Sequence, residues 1–68
     1  MKITNLRIER LKKGLTQGEL AILSNVSVNA IVRLEQGQLE NARFGTLIKV
    51  SRALGKSIQE LFLDEEEI

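Results

Sequence analysis

Cysteine, histidine, proline, tryptophan and tyrosine are all missing from these 68 residues. Without cysteine there is no disulfide, no zinc–thiolate site and no thiol nucleophile. Without histidine there is no imidazole base. The lack of cysteine fits a reducing, cytoplasmic setting. Without proline, no position is barred from a helix by ring geometry. Aromatic residues number two, Phe44 and Phe62, so an apolar core has to be built from aliphatic side chains. No apolar run nears the roughly 18 residues of a membrane span, and MKITNLRIER lacks the apolar centre of a signal peptide.

What is present suits one small folded domain. Apolar residues make up 43% of the chain, well above a disordered composition. A chain this short has little room for a substrate pocket and gains from pairing with a second copy. The net charge of +1 hides an asymmetry. Residues 1–56 carry all ten bases and four acids, a balance of +6, and residues 57–68 carry five acids and no base, a balance of −5. A basic body with an acidic end suits an anionic partner, and equally suits plain solubility.

Caps and apolar spacing predict five helices and no strand. The first runs from about Thr4 to Lys13 and stops at Gly14. The second starts at Thr16, with Glu19 completing a capping box, and turns at Ser24-Asn25. Leu20, Ala21 and Leu23 are its expected apolar contacts. Ser27 caps the third, which ends at Gly37. A loop follows over 38–42. The fourth spans about Arg43 to Leu54, with Phe44, Leu47, Val50, Ser51 and Leu54 turned inward. Ser57 and Glu60 form another box that opens a short fifth helix. Residues 1–63 read as the domain, and 64–68 as an acidic tail.

The third helix carries the functional signal. At about 100° per residue, with Ile31 at the centre of the buried face, Val28 and Leu34 flank it, and Asn29, Val32, Arg33 and Gln36 fall on the far side. Asn can pair two hydrogen bonds with adenine and Arg two with guanine, and Val offers a surface for a thymine methyl. Val28, near the helix start, would approach DNA closely. Each of these residues alone also suits an ordinary solvated face. Gln17 stands at a helix N-terminus, where N–H groups and the dipole favour phosphate. Glu35 lies only about 40° from Ile31, and Arg10 about 40° from Leu6 on the first helix. Two charges leaning inward predict a partly buried Arg10–Glu35 ion pair with a structural role.

These residues match a family pattern. GLTQxELAxxSxVSxxxIxxLExG over residues 14–37, LxxxxxALG over 47–55 and SIQELF over 57–62 resemble the lambda-repressor-like helix-turn-helix family, the Cro and Xre type of phage and bacterial repressors. The resemblance covers about residues 5–63. It implies an all-α, compact five-helix DNA-binding domain with the helix-turn-helix at helices 2 and 3, usually a homodimer on a two-fold operator. It implies that Gln17 contacts phosphate, and that Val28, Asn29, Val32 and Arg33 face bases. It also implies that Asn41 and Arg43 lie at the sugar-phosphate backbone, Arg43 within reach of a minor groove. Asn25 stands where glycine is usual and Ala42 where proline is frequent. Gly18 stands where a helix former is usual, at a cost of up to about 1 kcal/mol, and Gly45 interrupts the first turn of the fourth helix.

The expected function is therefore a sequence-specific, double-stranded DNA-binding regulator of transcription, most simply a repressor. Ser27, Gln36 and Asn41 add neutral donors to the contacts, and Lys12 and Lys13 add charge. Ile58, Leu61, Phe62 and Leu63 would join two copies. The alternative is an antitoxin or adaptor whose main partner is a protein, using the same apolar residues. Catalysis finds no support, because the carboxylates cluster in a terminal charge run without histidine, cysteine or a cleft. No metal, cofactor, small-molecule ligand or membrane is called for.

Overall fold

A computed structural model describes residues 3–63. The chain is all-helical over that range. Helices α1 (Asn5–Lys12), α2 (Gln17–Ser24), α3 (Val28–Glu35) and α4 (Phe44–Leu54) are followed by a wider π-type turn, Gln59–Leu63. The first three helices have eight residues each. In isolation such lengths are not stable in water, so packing and caps must hold them.

The caps expected at Thr16, Ser27 and Ser57 are present, Thr4 adds one more, and α4 starts at Arg43 without a side-chain cap. The Thr4 hydroxyl accepts from the Arg7 N–H at 3.3 Å. Thr16 accepts from the Glu19 N–H at 3.0 Å, and Glu19 accepts from the Thr16 N–H at 2.8 Å. That backbone bond, with the Thr16 hydroxyl second, holds the Glu19 carboxyl below its ordinary pKa. Ser27 accepts from the Ala30 N–H at 3.1 Å. Ser57 and Glu60 repeat the reciprocal box, again lowering the acid's pKa chiefly through the backbone bond. Asn25 ends α2 in the left-handed region at φ 58° and ψ 45°. Asparagine tolerates that region better than most residues with a side chain, so the missing glycine is met without a change of turn.

α2 lies at the centre, packed on α3 and α4, while α1 packs on α3 and on the C-terminal turn. Leu6, Leu20, Ala21, Ile31, Leu34, Val50, Leu54, Leu61 and Phe62 form the core. Leu47 packs against it partly buried, and Ser51 is buried with its hydroxyl donated to the Ile48 carbonyl at 2.9 Å. The Asn5 side-chain amide donates to the Glu60 carbonyl at 2.9 Å, tying α1 to the last turn.

Two expectations about the core need correction. Leu23 is 58% exposed, and its place on the inner face of α2 is taken by buried Ser24. Ser24 enters the core because its hydroxyl donates to the Leu20 carbonyl at 2.6 Å, which removes the cost of burying it. Phe44 is 67% exposed rather than inward. It sits in the first turn of α4, on the edge of the stripe that Leu47, Val50, Ser51 and Leu54 define. The acidic tail expected over 64–68 lies outside the described residues.

Candidate nucleic-acid interface

α3 stands as a ridge between two clefts. Its buried side is Ile31 and Leu34. Asn29, Arg33 and Gln36 are exposed, Val28 is largely so, and Val32 is partly covered. Neighbours three and four apart on a helix share a face, so Asn29, Val32, Arg33 and Gln36 make one stripe. From Asn29 to Gln36 the stripe runs roughly 10 Å at 1.5 Å per residue. That is about three base steps, on an element that a major groove roughly 12 Å wide admits. The Gln36 side-chain oxygen, Oε1, accepts from the Gln38 side-chain amide at 3.2 Å, which leaves the Gln36 side-chain N–H groups available as donors.

On one flank an open cleft of about 680 Å³ brings Arg33 together with Gln38, Glu40, Asn41, Arg43 and Thr46. Arg43 precedes α4 without capping it through its side chain, so its guanidinium is not spent on the helix end. On the other flank a cleft of about 450 Å³ is lined by Arg7, Thr16, Gln17, Val32 and Gln36, with Arg10 and Glu35 at its base. Ser27 lies at the start of the ridge, its oxygen committed to the cap and its hydroxyl proton free to donate.

Arg10 and Glu35 meet beneath the second cleft. Arg10 Nε donates to Glu35 Oε2 at 2.5 Å and Nη2 to Oε1 at 3.1 Å. Only 9% of the Arg10 side chain and 5% of the Glu35 side chain are exposed. The third nitrogen, Nη1, donates to the Leu15 carbonyl at 2.7 Å. One guanidinium thus joins α1, the α1–α2 turn and α3.

A helix-turn-helix family model matches residues 6–61. The chain belongs to the Cro/C1-type helix-turn-helix family. The matched span runs from the first core leucine, Leu6, to Leu61 in the last turn, so it covers α2, α3 and α4 of the Cro/C1-type domain in full and all but the outer ends of α1 and the last turn. α2 and α3 are its helix-turn-helix, joined by the left-handed Asn25. Members of this family are DNA-binding regulators, and that function holds for this domain. A comparison with curated proteins gives no match. Among the described residues, no helix of the domain is long and apolar enough to cross a membrane.

The expected site residues fall into three groups in this Cro/C1-type domain. Val28, Asn29, Val32, Arg33 and Gln36 lie along α3, with Asn41 and Arg43 across the larger cleft. Gln17 lines the smaller cleft but is not wholly free: its amide nitrogen donates to Glu35 Oε1 at 3.1 Å. The residues expected to join two copies are mostly used within the domain. Leu61 and Phe62 are 2% and 8% exposed and belong to the domain's own core, Ile58 is partly buried against it, and only Leu63 of the four stands exposed. The apolar stripe of a one-turn element was needed to close the fold before it could serve a partner. Arg7 was not singled out from the sequence. The signal for it was its place three residues before Arg10, which sets it above the pair on the same side of α1.

Proposed function

We propose that this domain represses transcription as a homodimer on a two-fold operator, in the cytoplasm, with α3 in the major groove. The observation that carries the reading is the outward stripe of α3, where Asn29, Val32 and Arg33 present an adenine reader, a methyl contact and a guanine reader in one line. The flanking clefts suit the phosphate walls of the groove. Phosphate contacts set orientation and base contacts set sequence, so Arg43, Asn41, Ser27, Gln17 and Lys12 and Lys13 would position α3, and its stripe would read. The loop over 38–42 carries no base, which limits the phosphates neutralised and makes the salt dependence moderate.

Selection of binding sites from random duplex tests the reading. A two-fold enriched motif is the expected result, and a pool that stays random would end the proposal. With the motif in hand, Asn29→Ala and Arg33→Ala should each lose about 1–3 kcal/mol of discrimination at one base position. Gel shifts on single-base variants of the site measure this.

A dimer has to be built mainly from surface the core does not use, and Leu63 is the exposed member of the expected set. The second reading, an adaptor or antitoxin bound to another protein, draws on Ile22 and Leu23, which are 83% and 58% exposed on α2. Sedimentation of the chain with operator separates the two, since a strict monomer on DNA excludes the homodimer. The acidic end would restrain binding to random sequence. Deleting Asp64 to Ile68 should raise affinity for random duplex at low salt; unchanged affinity in a filter-binding titration would exclude that role.

A further inference from the structure

Charges in the described residues are unevenly spent. Glu35 is held by Arg10, Glu9 by Lys12 at 3.3 Å, and Glu19 and Glu60 by their capping boxes. Arg7 has no hydrogen bond or ion pair from its guanidinium among the described residues, yet it lines the same cleft as Gln17. Within that cleft Arg10 and Glu35 cancel, so Arg7 supplies the net positive charge. Gln17 has its orientation fixed by chemistry. Glu35 is a carboxylate that can only accept, so the Gln17 nitrogen must face it, and the second amide hydrogen has no other partner among the described residues. Glu35 therefore accepts three hydrogen bonds, two from Arg10 and one from Gln17, and is the common node of a fold-holding pair and a cleft-lining amide.

We propose that Glu35 is a positioning residue for DNA contact: it holds Gln17 so that its second amide hydrogen, together with the Arg7 guanidinium, grips one backbone phosphate at the α1–α2–α3 cleft. This rests on the duplex-DNA reading above and adds to it a second phosphate-binding residue on α1 and a wiring between the buried pair and the phosphate. The two groups differ in kind. Arg7 neutralises the phosphate and releases a counterion, whereas Gln17 contributes a neutral donor.

That difference sets the test, run on the whole chain with the duplex enriched by selection. Arg7→Gln should flatten the slope of log affinity against log salt by about 0.9, so that its deficit shrinks by about 3.5-fold between 50 and 200 mM salt. Gln17→Ala should weaken specific and random duplex alike with the slope unchanged. Replacing phosphates one at a time by neutral methylphosphonate should reveal a single position that weakens the wild type and costs neither variant anything further. To isolate Glu35, Arg10→Met is combined with Glu35→Leu, because exchanging a whole buried pair for apolar groups is often neutral or stabilising. The double variant should keep its thermal midpoint and still bind DNA as weakly as Gln17→Ala. Should the double variant not fold, the test passes to the free wild type, where the Gln17 side-chain amide held by Glu35 should be nearly as rigid as the backbone in nitrogen-15 relaxation. An unchanged slope in Arg7→Gln, or two different phosphates for the two variants, overturns the shared grip while the regulator reading stands. Wild-type affinity in the folded double variant, or a Gln17 amide as mobile as that of a solvent-exposed glutamine, overturns the positioning role. A wild-type chain that binds no duplex ends both the regulator reading and this assignment.

Discussion

Arg10→Met is expected to lower the unfolding free energy by about 3–5 kcal/mol, the cost of leaving one member of a buried pair alone. A 68-residue domain has roughly 3–10 kcal/mol in all, at 0.05–0.15 kcal/mol per residue, so the loss takes about a third or more of the total and leaves the chain largely unfolded only at the low end of that range. The size of the effect follows from the count of groups stranded. Glu35 loses two of three donors and keeps only Gln17, and the Leu15 carbonyl loses Nη1. Methionine fills much of the volume but offers none of the hydrogen bonds. Urea unfolding followed by circular dichroism measures it. A midpoint within error of the wild type would mean that both charges reach water readily and that the pair contributes nothing.

Phe62→Ala should be as severe, at about 3–5 kcal/mol for a truncated core aromatic, and it decides a question of placement. If Phe62 served mainly to join two copies, its loss would shift self-association and leave a dilute monomer as stable as before. With the ring only 8% exposed among Leu6, Leu20 and their neighbours, the loss should instead appear at every protein concentration. For a domain of this size 1 kcal/mol moves the melting temperature by roughly 4–8 °C, so a fall of at least about 12 °C is expected. Melting curves at two concentrations far apart provide the check. A dilute sample that melts unchanged would return Phe62 to the surface between copies.

The sequence made most helix boundaries legible because those starts carry their own chemistry, while α4, whose Arg43 makes no side-chain cap, is placed by its apolar stripe. Thr4, Thr16, Ser27 and Ser57 can each satisfy an exposed backbone N–H, and Asn25 can sit where few other residues do. The Arg10–Glu35 placement was legible from angle alone, since each charge falls beside a core residue on its own helix. What escaped the pattern were residues whose environment is set by a distant neighbour. Ser24 reads as polar, and only its bond to Leu20 makes it a core residue. Phe44 and Leu23 read as apolar, but each lies off the centre of its helix's buried stripe. Leu61 and Phe62 look like free adhesive surface until α1 is known to lie across them. On the candidate site, the α3 stripe follows from helical period alone, whereas the partnership of Arg7 with Gln17 depends on how α1 crosses α3, which no local spacing records.

The bond from Asn5 to the Glu60 carbonyl bears on how the chain is made. It joins residues 55 apart, while the other close packings link helices nearer in the chain. During synthesis α1 to α4 can emerge and begin to pack in order, yet Leu6 lacks its cover until Leu61 and Phe62 leave the ribosome. The closing contact is thus the last to become available, and loop closure over that span has to be met before it rewards the fold. A nascent chain stalled short of residue 61 would carry a complete α3 on an unfinished core, so on the proposed reading its binding to DNA should arrive only with the final turn.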